Sequence, residues 1–231
     1  AMNILITSGG TSEKIDQVRS ITNHSTGRLG KMIAEHCLTN GAYVTLLTTA
    51  KAVKPAPHDN LTIKIIEDTE QLLIAMEELV PAHDVLIHSM AVSDYKPVYM
   101  AGFEEVLASS DLAEFLEKSN SESKISSADD YQVLFLKKNP KIIGKVKEWN
   151  PNIRLIGFKL LVGVSKEVLL ATARASLEKN QAELIVANDL TEISSGQHHA
   201  YLLGANTVTE AFSKEEIAEQ LLRYIQKGDS S

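Results

Sequence analysis

The alternation of short apolar runs with amphipathic stretches constrains this chain more than any other feature. Residues 3–8, 43–47, 61–66 and 84–88 read as strands, and residues 27–40 and 69–80 read as helices between them. In the first helix Leu29, Met32, Ile33, His36 and Cys37 recur at helical spacing, and Gly41 stands where a C-terminal glycine cap belongs. Thr69 is placed to cap the second helix and Pro81 to stop it. Strands and helices alternating over short connections predict a parallel, doubly wound α/β sheet. The pattern breaks between residues 96 and 130, where serines and acids gather. That stretch reads as a mobile flap within a single domain, with a short helix at 111–118. The pattern resumes with strands at 132–136, 154–159 and 184–187 and helices at 140–149 and 166–179. Runs at 200–203 and 207–210 flank Gly204-Ala205-Asn206 and predict a hairpin, after which a helix at 214–227 closes the chain.

Residues 7–30 carry the strongest functional signal. The first strand runs into Gly9-Gly10-Thr11, but the next helix waits for a second glycine pair, Gly27 and Gly30. A strand opening through glycines into a helix offers bare N–H groups and the positive end of the helix dipole to an anion. Gly9-Gly10 alone is as well explained by a tight turn. With Thr11 beside it and a second cluster at a helix start, a phosphate site is the better reading. The long polar loop between the clusters is of the kind that carries function.

Other classes fall away. The net charge of -7 and the lack of a long basic run argue against non-specific nucleic-acid binding. No apolar run is long enough to span a bilayer, and the first residues show no signal-peptide pattern. A single cysteine, Cys37, excludes an intrachain disulfide and fits the cytoplasm. Cys37 lies on the apolar side of its helix and reads as core. The seven histidines show no metal-ligand spacing and read as scattered residues. A nicotinamide-dependent oxidoreductase is the rival on this kind of fold. The Gly-x-Gly-x-x-Gly order is missing, however, and Thr48-Thr49 stand where a ribose-binding acid would sit. Asp94 and Asn188 fall at carboxyl ends of strands, which line the ligand crevice of an open parallel sheet.

The order of motifs points to a family. Ile15-Asp16-Gln17-Val18-Arg19 and Ile21-Thr22-Asn23-His24-Ser25-Thr26-Gly27 follow the first glycines. Ala91-Val92-Ser93-Asp94-Tyr95, Lys138-Asn139-Pro140, Gly157-Phe158 and Ile185-Val186-Ala187-Asn188-Asp189 come after them in order. Over nearly its whole length the chain resembles the phosphopantothenate–cysteine ligases, also called phosphopantothenoylcysteine synthetases, of coenzyme A biosynthesis. The resemblance is to a stand-alone bacterial form, without the flavin-dependent decarboxylase to which the ligase is often fused, and implies that no flavin is bound.

The resemblance implies a Rossmann-like fold with a flexible flap, and a reaction in which a nucleoside triphosphate, CTP in bacteria or ATP in eukaryotes, activates the carboxylate of 4′-phosphopantothenate. Pyrophosphate leaves, and the amine of L-cysteine attacks the acyl-nucleotide; Mg²⁺ accompanies the triphosphate, with no protein ligands assigned. By motif match, Gly9, Gly10, Ser25, Gly27 and Gly30 serve the triphosphate. Asn23 holds the reacting carboxyl, and Arg19 contacts the substrate phosphate, with a homodimer interface as one place from which it could do so. Ala91 and Asp94 match the substrate segment, Asp94 also facing the nucleotide. Pro140, Lys141, Ile142, Ile143, Phe158 and Lys179 match the part that holds base and ribose, and Asn188 a nucleotide contact. Lys124 matches one lysine of the flap motif that covers the bacterial site.

Overall fold

A computed structural model describes residues 1–120, 129–194 and 196–229. Its first half comprises β1 (Asn3–Thr7), β2 (Ser12–Lys14), β3 (Ser20–Thr22), α1 (Arg28–Thr39), β4 (Tyr43–Thr48), β5 (Leu61–Ile65), α2 (Thr69–Leu79), β6 (Val85–His88), β7 (Tyr95–Gly102) and α3 (Phe103–Leu107). The second comprises β8 (Gln132–Lys138), α4 (Val146–Trp149), β9 (Arg154–Leu161), α5 (Lys166–Asn180), β10 (Leu184–Asp189), β11 (Ile193–Ser194), β12 (Gln197–His198), β13 (Ala200–Gly204), β14 (Val208–Ala211) and α6 (Lys214–Asp229).

Eight of these strands form one sheet in the order β14-β13-β10-β9-β6-β1-β4-β5. The six strands from β10 to β5 are parallel, and β13 and β14 form the antiparallel hairpin at one edge. Successive side chains of a strand point to opposite faces, and here both faces are apolar. Ile4 and Ile6 pack with Ile33 and Cys37 of α1 and with Ile217 and Leu221 of α6. Leu5, between them, packs with Leu72 and Met76 of α2 and Val146 of α4. Further along, Ile185 and Ala187 meet Leu169, Ala173 and Leu177 of α5. This is the doubly wound arrangement expected from the alternation. Burial pushes the Cys37 thiol up to about 12, so it is a core residue and not a nucleophile.

The chain leaves β1 for β4 and β5 on one side and then returns to β6 on the other. The strand order therefore reverses between β1 and β6, and the crevice at their carboxyl ends is where such sheets bind ligands.

The stretch expected as a flap contains an antiparallel ribbon, β7 with β8, flanked by α3 and a 3-10 turn at Leu112–Glu117. That turn is the short helix expected at 111–118, and Asp111 caps it by accepting from the Ala113 amide at 3.1 Å. Phe115 is the ribbon's own core: it is buried and stacks on Phe135 at 5.2 Å and Tyr99 at 6.0 Å. The pairing of β7 is irregular between Pro97 and Tyr99, which is how a proline is accommodated in it. The helix expected at 140–149 is split into a 3-10 turn at Ile143–Lys145 and the four-residue α4.

Candidate active site

The two glycine clusters are distant in sequence and meet through a third loop. Gly9 has φ 87° and Gly27 has φ 81°, a left-handed backbone that favours glycine. A Cβ on Gly9 would lie 2.8 Å from Thr49 Oγ1, and one on Gly27 would lie 2.9 Å from the Ala52 Cβ. The Val53 amide donates to the Thr26 carbonyl at 2.9 Å, fixing residues 49–53 against both clusters. Gly27 caps α1 without any side-chain bond; the Arg28 amide donates to Thr26 Oγ1 at 3.3 Å, and the Leu29 and Gly30 amides are left for other partners. Gly30 lets α1 approach the sheet, since a Cβ there would lie 2.4 Å from the Ser8 Cβ.

Across the switch point Gly10 bridges Ala91 in parallel register, with the Ala91 amide on the Gly9 carbonyl at 2.9 Å and the Thr11 amide on the Ala91 carbonyl at 3.0 Å. Asn23 is seated on this junction. Its amide donates to the Thr11 carbonyl at 3.1 Å, and a Cβ on Gly10 would fall 2.2 Å from its carbonyl oxygen. The Asn23 side chain makes no hydrogen bond to the described residues and opens onto a cleft.

Two clefts flank this junction. One, of about 780 Å³, is lined by Gly10, Asn23, Ser25, Thr49 and Lys51, with Val18 at its rim. The other, of about 430 Å³, is lined by Asp94, Pro140, Lys141, Ile142, Ile143, Phe158 and Lys179. Residues matched separately along the sequence from Asp94 to Lys179 thus share one wall. Lys141 pairs with Asp94 at 3.1 Å across the exposed mouth of this cleft. Asn188 is not on either cleft wall; it is buried and its amide lies 2.7 Å from His198 Nε2. Lys124 lies outside the described residues.

Arg19 is partly exposed on the turn between β2 and β3, a hairpin that packs beside β7. The buried Asp16 carboxylate accepts from the Val18 and Arg19 amides at 2.9 and 2.7 Å and pairs with the Arg19 guanidinium at 3.0 Å. One carboxylate therefore shapes the turn and aims the arginine.

Sequence reasoning missed a polar network beneath the junction. Thr11 Oγ1 lies 2.9 Å from Ser93 Oγ and accepts from the Ser93 amide at 2.8 Å. Asn139 Nδ2 donates to the Ser93 carbonyl at 2.9 Å and reaches Glu13 Oε1 at 3.4 Å. Burial raises the Glu13 carboxyl above its ordinary value, against the lowering effect of the Thr69 and Asn139 hydrogen bonds. The network ties the loop below Asn23 to the Pro140 turn of the smaller cleft. Asp189 plays a similar part between β9 and β10. It accepts from the Gly163, Val164 and Thr191 amides, and these hydrogen bonds hold its carboxyl well below the usual range. The available signal was placement: Ser93 lies in the loop that follows β6 and carries Asp94, and Asn139 directly follows β8.

A doubly wound sheet with two clefts at its switch point, joined by glycine turns and a helix start, belongs to the class of open α/β sheets whose crevice suits nucleotide- or phosphate-bearing ligands. Comparison with known proteins narrows the class. The family model described as DNA/pantothenate metabolism flavoprotein C-terminal domain matches residues 1–103 and 100–228, and the chain belongs to that family. The coenzyme A biosynthesis bifunctional protein CoaBC of Thermococcus kodakarensis is 33% identical over 228 residues, covering 97% of this chain and 51% of that protein. The chain thus spans about half the length of the curated relatives it matches. A crystal structure of the DNA/pantothenate metabolism flavoprotein from Streptococcus pneumoniae superposes with a TM-score of 0.95 at 62% identity, covering 98% of this chain and 99% of that one. The C-terminal domain of a CoaBC protein superposes with a TM-score of 0.75 at 26% identity, covering 100% of this chain and 96% of that one.

Proposed function

We propose that the chain is a phosphopantothenate–cysteine ligase that works through an acyl-nucleotide. A carboxylate oxygen of 4′-phosphopantothenate attacks the α-phosphorus of the triphosphate, and pyrophosphate leaves. The amine of L-cysteine then attacks the acyl carbon, loses a proton, and the nucleoside monophosphate departs. The observation that carries the reading is the seat of Asn23 on Gly10, between two clefts, in a chain of this family. In the proposal the smaller cleft takes base and ribose, the glycine turns and the α1 start take the phosphates, and the larger cleft takes the pantothenate arm. The first two assignments follow the chemistry of the lining, apolar walls with few polar groups for a base and N–H groups for phosphates, and the third follows from Asn23, which lines the larger cleft and is assigned the reacting carboxyl.

Among the described residues no group of three or more His, Cys, Asp or Glu forms a metal cage. Mg²⁺ enters the proposal as an ion carried mainly by triphosphate oxygens, as this cation commonly is, neutralising charge as the anhydride breaks. No flavin step is part of it. The setting is cytoplasmic, and no described helix is long and apolar enough to cross a membrane. CTP is the preferred triphosphate by resemblance, with ATP the alternative. The expected result is pyrophosphate release that needs both phosphopantothenate and one of these triphosphates. Silence with every triphosphate would overturn the reading.

A homodimer belongs to the same proposal. The ribbon and its cap leave Tyr95, Phe103, Leu107, Leu112, Tyr131 and Leu136 exposed, a concentration of apolar surface on one arm. A second copy of the same arm is the occupant argued for, because the Arg19 hairpin packs beside it and would be brought toward the neighbouring site. Light scattering is expected to give twice the mass of the chain. The double substitution Tyr131→Asp with Leu136→Asp should halve it, and a monomeric wild type would remove the dimer from the proposal.

A further inference from the structure

The carboxyl end of β6 sets a neutral imidazole into the wall of the smaller cleft. His88 is 8% exposed and lines that cleft, standing in register between Thr7 of β1 and Gly157 of β9. Thr7 Oγ1 lies 2.7 Å from His88 Nδ1 and already accepts the Met90 amide at 3.2 Å. The threonine hydroxyl has one proton and, among the described residues, no other acceptor for it. It therefore donates to Nδ1, which leaves the ring proton on Nε2. Nε2 has no hydrogen-bond partner among the described residues and is not one of their sealed-off polar atoms. Burial pushes the His88 pKa down to about 4, so the ring is neutral at physiological pH. At Gly157, the register partner of His88, a Cβ would lie 3.0 Å from Ile185 Cδ1 and 3.3 Å from Ile143 Cδ1, so the glycine lets Ile143 close the cleft wall. Met90, Ile142, Ile143 and Phe158 supply apolar surface around it.

We propose that His88 reads the nucleobase, its Nε2–H donating to a carbonyl or ring-nitrogen acceptor of the base that enters this cleft. The inference rests on the reading of the smaller cleft as the base-and-ribose site and adds to it a residue that fixes base orientation. A pocket with apolar walls orients its ligand through a few placed polar groups. A buried donor that a ligand fails to satisfy penalises that ligand, so the imidazole also discriminates among bases.

The test uses the whole chain. His88→Phe keeps the bulk and removes the donor; His88→Gln restores an N–H. His88→Phe is expected to raise the KM of the productive triphosphate roughly tenfold while leaving the KM of phosphopantothenate and of cysteine unmoved, and His88→Gln to recover most of the loss. A structural role alone would shift all three constants together, and that result, or an unchanged nucleotide KM, overturns the proposal. A second measurement needs no variant. With ¹⁵N-labelled histidine in the wild-type chain, the Nε2–H signal is expected to shift and to exchange more slowly on saturation with CTP or ATP, and to stay put with phosphopantothenate alone. An unmoved ring in a chain that binds triphosphate overturns the role of His88 only. A chain that binds neither triphosphate overturns the ligase reading along with it.

Discussion

Asn23→Asp is expected to fold, to bind nucleotide, and to make roughly 100-fold to 1,000-fold less phosphopantothenoylcysteine per second, the usual cost of one lost oxyanion donor. The structure removes the competing explanation of this residue. A capping asparagine would bond to the start of α1, but Gly27 occupies that place and has no side-chain cap. The Asn23 side-chain amide makes no hydrogen bond to the described residues, so its removal leaves no protein partner stranded. Only its backbone is engaged, and aspartate has the same backbone. The chemistry explains the direction. An amide offers both a donor and an acceptor without charge. A carboxylate there would repel the carboxylate that must reach the α-phosphorus, and it could not donate to the acyl oxygen when cysteine attacks. Quench-flow separates the two steps: acyl-nucleotide that accumulates marks the second as the more damaged. A folded Asn23→Asp protein that turns over cysteine at the wild-type rate returns Asn23 to the role of a loop residue.

The sheet was legible because its strands are buried on both faces. Ile4-Leu5-Ile6 and Val85-Leu86-Ile87 are continuous apolar runs, and such runs bounded by glycines or turns have few other uses. The ribbon was only half legible. β8 showed through Val133, Leu134 and Phe135, whereas β7 falls in the stretch that reads as a flap; its Pro97 interrupts strand pairing, which is irregular between Pro97 and Tyr99. The hairpin of β2 and β3 is three residues a side and polar, below what periodicity can register. At the site, the motif match named residues of both clefts, yet it named no partners. Glu13 and Asn139 are 126 positions apart and meet through a buried polar contact that no local pattern encodes. Asp16 is part of a recognised motif, but its hold on Arg19 is a matter of geometry. His88 was set aside with the other histidines because metal spacing was the question asked of them, although its position at a strand end is the same argument that singled out Asp94.

The second large effect belongs to Gly10, and the neighbouring glycine supplies its control. Gly9 needs its glycine for conformation: φ is 87°, and an added Cβ would press on Thr49 Oγ1, a side-chain atom that can turn away. Gly9→Ala should therefore cost stability, by about 1 kcal/mol or more for a left-handed backbone, and lower the melting temperature. Gly10 has an ordinary backbone, so alanine is allowed there as a conformation. Its Cβ would instead lie 2.2 Å from the carbonyl oxygen of Asn23 and 3.1 Å from the carbonyl carbon. These are backbone atoms held by the Asn23–Thr11 hydrogen bond, and they cannot rotate out of the way. To restore contact the loop must retreat by about 1 Å, a displacement that can cost roughly 100-fold in rate when it moves a reacting group. Gly10→Ala is thus expected to lower the melting temperature too, because the loop gives way only by straining the Asn23–Thr11 hydrogen bond, and the protein that stays folded is expected to lose about two orders of magnitude in kcat beyond the loss in Gly9→Ala. Differential scanning fluorimetry and steady-state kinetics on the two variants check the contrast. Equal losses of rate and stability in both would mean that the glycines serve the turn alone, and that the seat of Asn23 on Gly10 has no part in the chemistry.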